Sequence, residues 1–256
     1  MDVRVIAVDL DGTVLNGQKA LGEKTLSALQ ACRARGIKVV VATARAEKAA
    51  ARFSQAMGAD GVISCGGALA RAGDKTVYRA YLSADVADRI TMDLRKHPGV
   101  LSMTVETDSG YFVNYDHALP DWEGIHSDFD EPRHEEALKL MADMKTPRDA
   151  EAFACAHPEC VLTQYVGEGW CSMAHADAVK HRALRALLAY WRIPENAAAA
   201  FGDDTNDMGM LQMCGYGVAM GNAKDDVKAC ARFVCPSNEE DGVGVWLYEH
   251  VLGKDE

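Results

Sequence analysis

Short runs of small and β-branched apolar residues alternate along this chain with stretches whose apolar positions recur at helical spacing. Residues 5–8 (Val5, Ile6, Ala7, Val8) are continuously apolar, which predicts a strand buried on both faces of a parallel sheet. The run leads straight into Asp9-Leu10-Asp11-Gly12-Thr13: two carboxylates two residues apart, then a glycine suited to a tight turn. Residues 17–22 form a polar turn. Over 23–35, Leu26, Leu29 and Cys32 predict a helix stopped by Gly36. Residues 38–43 are a second buried strand, ending in the hydroxyl of Thr43 and completing a right-handed βαβ unit. A helix over 47–57 and a short strand over 61–65 follow, the latter opening into Gly66-Gly67.

The pattern changes near Leu82. Residues 83–97 read as an amphipathic helix on Val86, Ile90 and Leu94, and 101–106 with 111–115 as a hairpin about Asp108-Ser109-Gly110. Residues 116–134 read as a long polar and aromatic loop. A strand or short helix over 137–144 and a helix over 147–157 come next. A second hairpin pairs 160–166 with 170–174 about Gly167-Glu168-Gly169. Hairpins with helices between them indicate an α+β unit.

From Asp177 the earlier pattern returns: a helix over 180–191, then a small-residue strand over 197–201 that runs into Gly202-Asp203-Asp204-Thr205-Asn206-Asp207. A helix (208–213), a strand (217–220), a helix (225–231), a short strand (232–235) and a closing helix (242–252) complete the chain. The fold class is α/β, a parallel-sheet core in two stretches, 1–81 and 178–256. An α+β insert over 82–177 lies between them, large enough for a domain of its own.

The composition of the 256 residues, 48% hydrophobic and 25% charged, is that of a globular protein. Asp plus Glu number 38 against 27 Lys plus Arg, a formal charge of −11, which argues against nucleic acid or an anionic membrane as partner. An anionic substrate then needs local help from a metal, amides or a few placed cations. No apolar run reaches membrane-spanning length and no signal-like segment opens the chain. Eight cysteines without CxxC spacing read as small core residues in a reducing, cytoplasmic setting.

Ligands gather at the carboxyl ends of parallel strands, and neighbouring strand ends lie about 5 Å apart. Asp9 and Asp11, Thr43, Lys180, and Asp203 with Asn206 and Asp207 therefore converge. Carboxylates from two strand ends, with oxygen donors and no Cys or His, select a hard cation such as Mg2+. A lysine and a hydroxyl beside them suit a phosphoryl group. In such a turn one acid attacks phosphorus, and the other protonates the leaving oxygen and later activates water. The plainer alternative for the first turn is a strand ending in an Asx-turn with solvated acids.

Those residues, in that order, resemble the haloacid dehalogenase superfamily of phosphatases, and within it the Cof-like branch. The motifs are DLDGT (9–13), VATAR (41–45), the helix begun by Lys180, and GDDTND (202–207). The tail segments GVAMGNAKDDVKACARFV (217–234) and SNEEDGVG (237–244) are also similar to that branch. The resemblance covers about residues 1–80 and 178–256 closely, and the insert by size and position only.

The resemblance implies a Rossmann-like core with the insert as a cap that closes over the site and chooses the substrate. It implies Asp9 as nucleophile and metal ligand, and Asp11 as general acid/base with its backbone carbonyl on the metal. Thr43, Lys180 and Asn206 would bind the phosphoryl group. Asp203 would ligate Mg2+, and Asp207 would orient the site from behind. The chain departs from the family pattern at Ala44, where Gly is usual, at Gly66-Gly67-Ala68, where Asn-Gly-Ala is usual, and at His181, where Gly is usual. These departures bear on substrate range and rate rather than on the reaction.

The implied activity is Mg2+-dependent hydrolysis of small phosphorylated metabolites, sugar phosphates or phosphorylated cofactors, by a monomer or small homo-oligomer. The alternatives are phosphomutase-like transfer and a non-hydrolytic, phosphate-binding regulator, against which Asp11 and the cap-sized insert speak. Asn222 is read either as a cap of the following helix or as a substrate contact, and Arg45 as a surface or salt-bridge residue. Asn114, Trp122 and His126 are read as ordinary packing in the insert, and Met208, Met210 and Met213 as core.

Overall fold

A computed structural model describes residues 1–115, 118, 119, 122–164 and 169–253. The chain divides into two compact units, Met1–Arg79 with Val179–Glu256, and Ala80–Ala178.

The first unit is built on an eight-stranded sheet. Its order is Phe233–Val234, Tyr216–Ala219, Ala198–Gly202, Val5–Val8, Lys38–Ala42, Gly61–Ser64, Leu69–Ala72 and Lys75–Arg79. The first six strands run parallel. Val5–Val8 lies inside the sheet, and all four of its residues are fully buried. Its neighbours on both sides are as apolar as itself, with Ala7 opposite Ala200 on one strand and Val40 on the other. A strand buried on two faces needs such continuous apolar character, and this is the pattern that the sequence displays.

Helices follow the strands as the spacing requires. Glu23–Ala34 buries Ala28, Leu29 and Cys32, and Glu47–Met57 buries Ala50, Phe53 and Met57. Lys180–Trp191 buries Ala183, Leu184, Leu187 and Leu188. Met210 is core, and Met208 and Met213 pack against it. The closing helix is α-helical over Gly242–Leu247 and becomes a π-helical turn over Tyr248–Leu252.

The parallel pattern predicted for this sheet is extended by a hairpin, Leu69–Ala72 and Lys75–Arg79, which adds two antiparallel strands at its edge. The outer strand carries Lys75, Thr76 and Arg79 exposed. Edge strands carry charge that discourages further pairing, and the same charge hides the apolar run by which a strand is recognised.

The second unit has a six-stranded sheet in the order Ile125–His126, Tyr111–Val113, Val100–Thr107, Ala137–Met144, Trp170–Ala174 and Val161–Gln164. Helices Ala84–Lys96 and Pro147–Ala156 supply Ala87, Ile90, Leu94, Ala150 and Phe153 to a core shared with Met103, Val105, Leu140 and Met173. Residues 137–144, open between strand and helix in the sequence, form a strand in which Leu140, Ala142 and Met144 alternate into the core and 140–143 are paired on both sides, with a register irregularity at Leu138. The loop expected over 116–134 contains strand pieces, with Ile125 opposite Phe112 and Ala118 opposite Glu123. Asn114 accepts the Met103 N–H at 2.7 Å, and His126 is exposed beside Asp128. The Trp122 side chain and the expected Gly167-Glu168 turn lie outside the described residues.

None of the eight cysteines is in a disulfide; Cys155 is exposed and Cys230 half-buried, the rest buried. Among the described residues no helix is long and apolar enough to cross a membrane.

Candidate active site

The carboxyl ends of Val5–Val8, Lys38–Ala42 and Ala198–Gly202 bring Asp9, Thr43 and Asp203 to one rim of the sheet. Asp9 directly follows the inner strand, and its N–H donates to the Phe201 carbonyl at 3.1 Å. Parallel pairing thus fixes its backbone up to the site. Its side chain is nearly buried.

Lys180 opens its helix on the residue where Val179 leaves extended backbone. The helix start is seated against the turn after Gly61–Ser64. Gly67 there has φ +112°, and a Cβ would fall 2.3 Å from the Val179 carbonyl carbon. Only glycine allows that approach. The lysine is 1% exposed, and its ammonium donates to Asp9 Oδ1 and Asp207 Oδ1, each at 2.7 Å. A solvated lysine at a helix start is thereby excluded.

Asp207 is fully buried. Its second oxygen accepts the N–H groups of Asp203 and Asp204 at 3.1 and 3.2 Å, so it closes the 203–207 turn while facing Lys180. Asp203 Oδ1 accepts the Thr13 hydroxyl at 2.9 Å. Gly12, at φ +79°, passes so close that a Cβ would meet Asp203 Oδ2 at 2.3 Å.

One oxygen each from Asp9, Asp203 and Asp207 lie within 4.8 Å of one another. Three carboxylates are gathered about one ammonium. Burial pushes the Asp9 carboxyl up to about 8, with Asp207 and Asp203 adding to the effect against the pull of Lys180. Burial and Asp207 push Asp203 up to about 6, although the Thr13 hydroxyl opposes them. Burial works against the charge on Lys180, but Asp207 and Asp9 outweigh it and raise its pKa. An all-oxygen donor set in which three carboxylates share one ammonium fits a hard divalent cation. Asp207, expected behind the metal ligands, stands within this cluster.

Asp11 is directed elsewhere. Arg45 Nε donates to its Oδ2 and Nη2 to its Oδ1, both at 2.7 Å, and Lys19 Nζ reaches Oδ1 at 2.8 Å. Burial would raise this carboxyl, but the hydrogen bonds from Arg45 and Lys19 prevail and hold it at about 2. The Arg45 guanidinium itself lies 5.0 Å from the Phe53 ring centroid. Thr43 is 1% exposed, and its hydroxyl accepts the Arg45 N–H at 3.1 Å. Asn206 is exposed on the turn Thr205–Asp207.

Several neighbours of the site carry no distinctive sequence signal. Arg45, read as a surface or salt-bridge residue, proves to be the principal partner of Asp11; its place at the end of VATAR was the available clue. Thr13 is the hydroxyl on Asp203. Asn222 does not cap the following helix: the cap position of Asp225–Cys230 is Lys224 and makes no side-chain cap hydrogen bond. The Asn222 amide instead donates to the Gly12 carbonyl at 2.8 Å. His181 is half-buried in the space that a Cβ on Gly209 would take, 2.3 Å from Nδ1. Burial lowers its pKa.

The first unit is an open α/β sheet with acids gathered at its carboxyl rim. Residues 6–247 match the model of the haloacid dehalogenase-like hydrolase family, and the chain belongs to it. It is 28% identical to the 5-amino-6-(5-phospho-D-ribitylamino)uracil phosphatase YitU of Bacillus subtilis, across 96% of this chain and 97% of that protein. It is also 28% identical to the pyridoxal phosphate phosphatase YbhA of Escherichia coli, across 98% of this chain and all of that one. Among solved structures, a subclass IIB sugar phosphatase of the superfamily shares the fold with a TM-score of 0.83 at 21% identity, covering 96% of this chain and 98% of the other.

Proposed function

We propose that this chain is a magnesium-dependent phosphatase of small phosphorylated metabolites that works through a phosphoryl group carried on Asp9. The observation that carries the proposal is the buried Lys180 ammonium bridging Asp9 and Asp207 at 2.7 Å each, beside Asp203 and below the Asp9–Thr13 turn. A lysine is buried at such cost only where charge answers it. The two named relatives support the substrate class, since both are named for small phosphate monoesters.

In the first step a lone pair of the Asp9 carboxylate forms a bond to phosphorus. The bond from phosphorus to the ester oxygen breaks, its electron pair leaves on that oxygen, and Asp11 supplies the proton. In the second step Asp11, now a carboxylate, takes a proton from water as the water oxygen attacks phosphorus. The bond to Asp9 breaks, and inorganic phosphate leaves with Asp9 restored. The proton taken from water leaves Asp11 for solvent as phosphate departs, Arg45 and Lys19 then hold the carboxylate, and solvent supplies the proton again before the next first step. A dianionic phosphoryl group arriving beside it adds negative charge and favours the protonated form that the first step needs.

Lys180 and Thr43 hold phosphoryl oxygens, with Asn206 at the exposed side. Asp9, Asp203 and the backbone carbonyl of Asp11 would hold Mg2+, with Asp207 orienting them; when bound, the ion supplies positive charge to the clustered carboxylates and the phosphoryl oxygens. In this reading the inserted residues 82–177 are the cap that chooses the substrate. Eight cysteines without a disulfide support a reducing, cytoplasmic setting.

Phosphate release from a panel of sugar phosphates, phosphorylated cofactors and p-nitrophenyl phosphate tests the proposal, with Mg2+, with chelator, and with Asp9→Asn. Turnover that needs Mg2+ and disappears in Asp9→Asn is expected. No turnover on any compound would overturn it, and transfer to a second hydroxyl would replace hydrolysis by mutase chemistry.

A further inference from the structure

The tail segment 237–241 hydrogen-bonds the stretch that follows the Asp9–Thr13 turn, at Leu15, Gly17 and Thr25. Asn238 Nδ2 donates to the Leu15 carbonyl at 2.9 Å, and the Gly17 N–H donates to Glu239. The Asp241 carboxylate accepts the Thr25 hydroxyl at 2.8 Å and the Thr25 N–H at 3.3 Å. Ser237 and Glu240 close the segment on itself as a capping box.

Asn222 joins this segment to the residue next to Asp11. Its Oδ1 accepts the Asn238 N–H at 3.0 Å, and its Nδ2 donates to the Gly12 carbonyl at 2.8 Å. The orientation of the amide is dictated by its partners, because a backbone N–H only donates and a carbonyl only accepts. Gly12 is wedged on its other side against Asp203 and turns with φ +79°. The peptide that follows carries Thr13, whose hydroxyl donates to Asp203 Oδ1 at 2.9 Å. A continuous path thus runs from Asn238 through Asn222, the Gly12–Thr13 peptide and Thr13 to Asp203.

We infer that Asn222, backed by Asn238, is a positioning residue that sets the plane of the Gly12–Thr13 peptide and so the aim of the Asp9–Thr13 turn and of Asp203. This rests on the phosphatase reading of the site, which makes that turn the place of chemistry. Asn222 is exposed, so its removal costs little folding free energy. Small misplacements of reacting groups, in contrast, are costly in rate. The segment 237–244, which resembles the family only as a sequence pattern, thereby acquires a mechanical role.

The test measures kcat and KM for p-nitrophenyl phosphate and for an alkyl phosphate, with Mg2+, in the full chain. Folded fraction and Tm are read alongside. Asn222→Ala removes both hydrogen bonds. Asn222→Asp keeps the acceptor for Asn238 and loses the donor to Gly12. Both variants are expected to lose about tenfold or more in kcat, by the same factor on both substrates, with KM and Tm close to wild type. Asn222→Ala combined with Asn238→Ala is expected to be less damaging than the product of the two single losses, as for groups in one network.

A kcat within about twofold of wild type in both single variants overturns the inference. So does a loss that follows the folded fraction. A loss carried by KM and varying with the leaving group assigns Asn222 to the substrate instead, and also overturns it. Wild-type protein with no turnover on either ester is a failure of the phosphatase reading, distinguishable from all of these.

Discussion

Arg45 grips both carboxylate oxygens of Asp11, Nε on Oδ2 and Nη2 on Oδ1, each at 2.7 Å. The two residues are 34 positions apart and leave the ends of neighbouring parallel strands. A planar fork on a planar carboxylate is the strongest of the common ion-pair geometries. Lys19 adds a weaker contact from an exposed turn. This grip predicts the titration of Asp11 directly. A carbon-13 NMR titration of the wild-type carboxyl is expected to show a midpoint near 2, and Arg45→Gln should move it up towards the ordinary value of about 3.9. An unchanged midpoint would mean that Arg45 does not govern Asp11. Because the folded pKa is depressed, the pair contributes stability above the unfolded value that is lost as pH falls towards 2.

Lys180 is the only cation hydrogen-bonded to Asp9 and Asp207 among the described residues. Lys180→Met leaves buried carboxylates unanswered, which costs about 3–5 kcal/mol in comparable pairs. Urea unfolding at pH 8 is expected to show a loss of that order. At pH 5.5 the loss should be smaller, since Asp9 takes up a proton below its elevated pKa of about 8 and part of the repulsion disappears. Equal losses at both pH values would contradict this electrostatic account.

The metal-free protein should become less stable as pH rises. Asp9 and Asp203 have folded pKa values of about 8 and about 6, above the unfolded value of about 3.9. Between those limits the folded chain binds more protons than the unfolded one, so stability falls with pH. Mg2+ needs the ionised carboxylates. The rise in Tm on adding Mg2+ is therefore expected to be larger at pH 8.5 than at pH 5.5, and a rise independent of pH would count against metal binding at these acids.

Gly67→Ala tests how Lys180 is placed. The added methyl would fall 2.3 Å from Val179 backbone at a φ of +112°, so the start of the lysine helix must shift or the turn must open. A loss of activity with a lowered Tm is expected; Gly66→Ala, where a Cβ meets nothing within 4 Å but φ is +72°, should cost less. Equal effects of the two would remove the close-approach argument.

Much of the fold was legible because its strands are buried on both faces and so consist of apolar runs with few alternatives. Val5–Val8, Lys38–Ala42 and Ala198–Gly202 are all of this kind, and the acids after them mark the carboxyl rim. The edge hairpin over 69–79 is not legible in the sequence, because an edge strand needs no such run. The convergence of Asp9, Lys180, Asp203 and Asp207 followed from strand ends and motif order, and the structure brings these side chains together. Side-chain direction did not follow. That Asp11 faces Arg45, or that Asn222 bonds Gly12 instead of capping a helix, depends on contacts between residues 34 and 210 positions apart that no local pattern encodes.

The most direct test of the central claim is acid-quenched mass spectrometry of the protein mixed with p-nitrophenyl phosphate and Mg2+, using Asp11→Asn to slow the second step. A phosphoryl group on the peptide that contains Asp9, absent when Asp9→Asn is added, is the predicted result. Full turnover by the wild type without phosphoryl transfer to that peptide, and with activity retained in Asp9→Asn, would contradict the account.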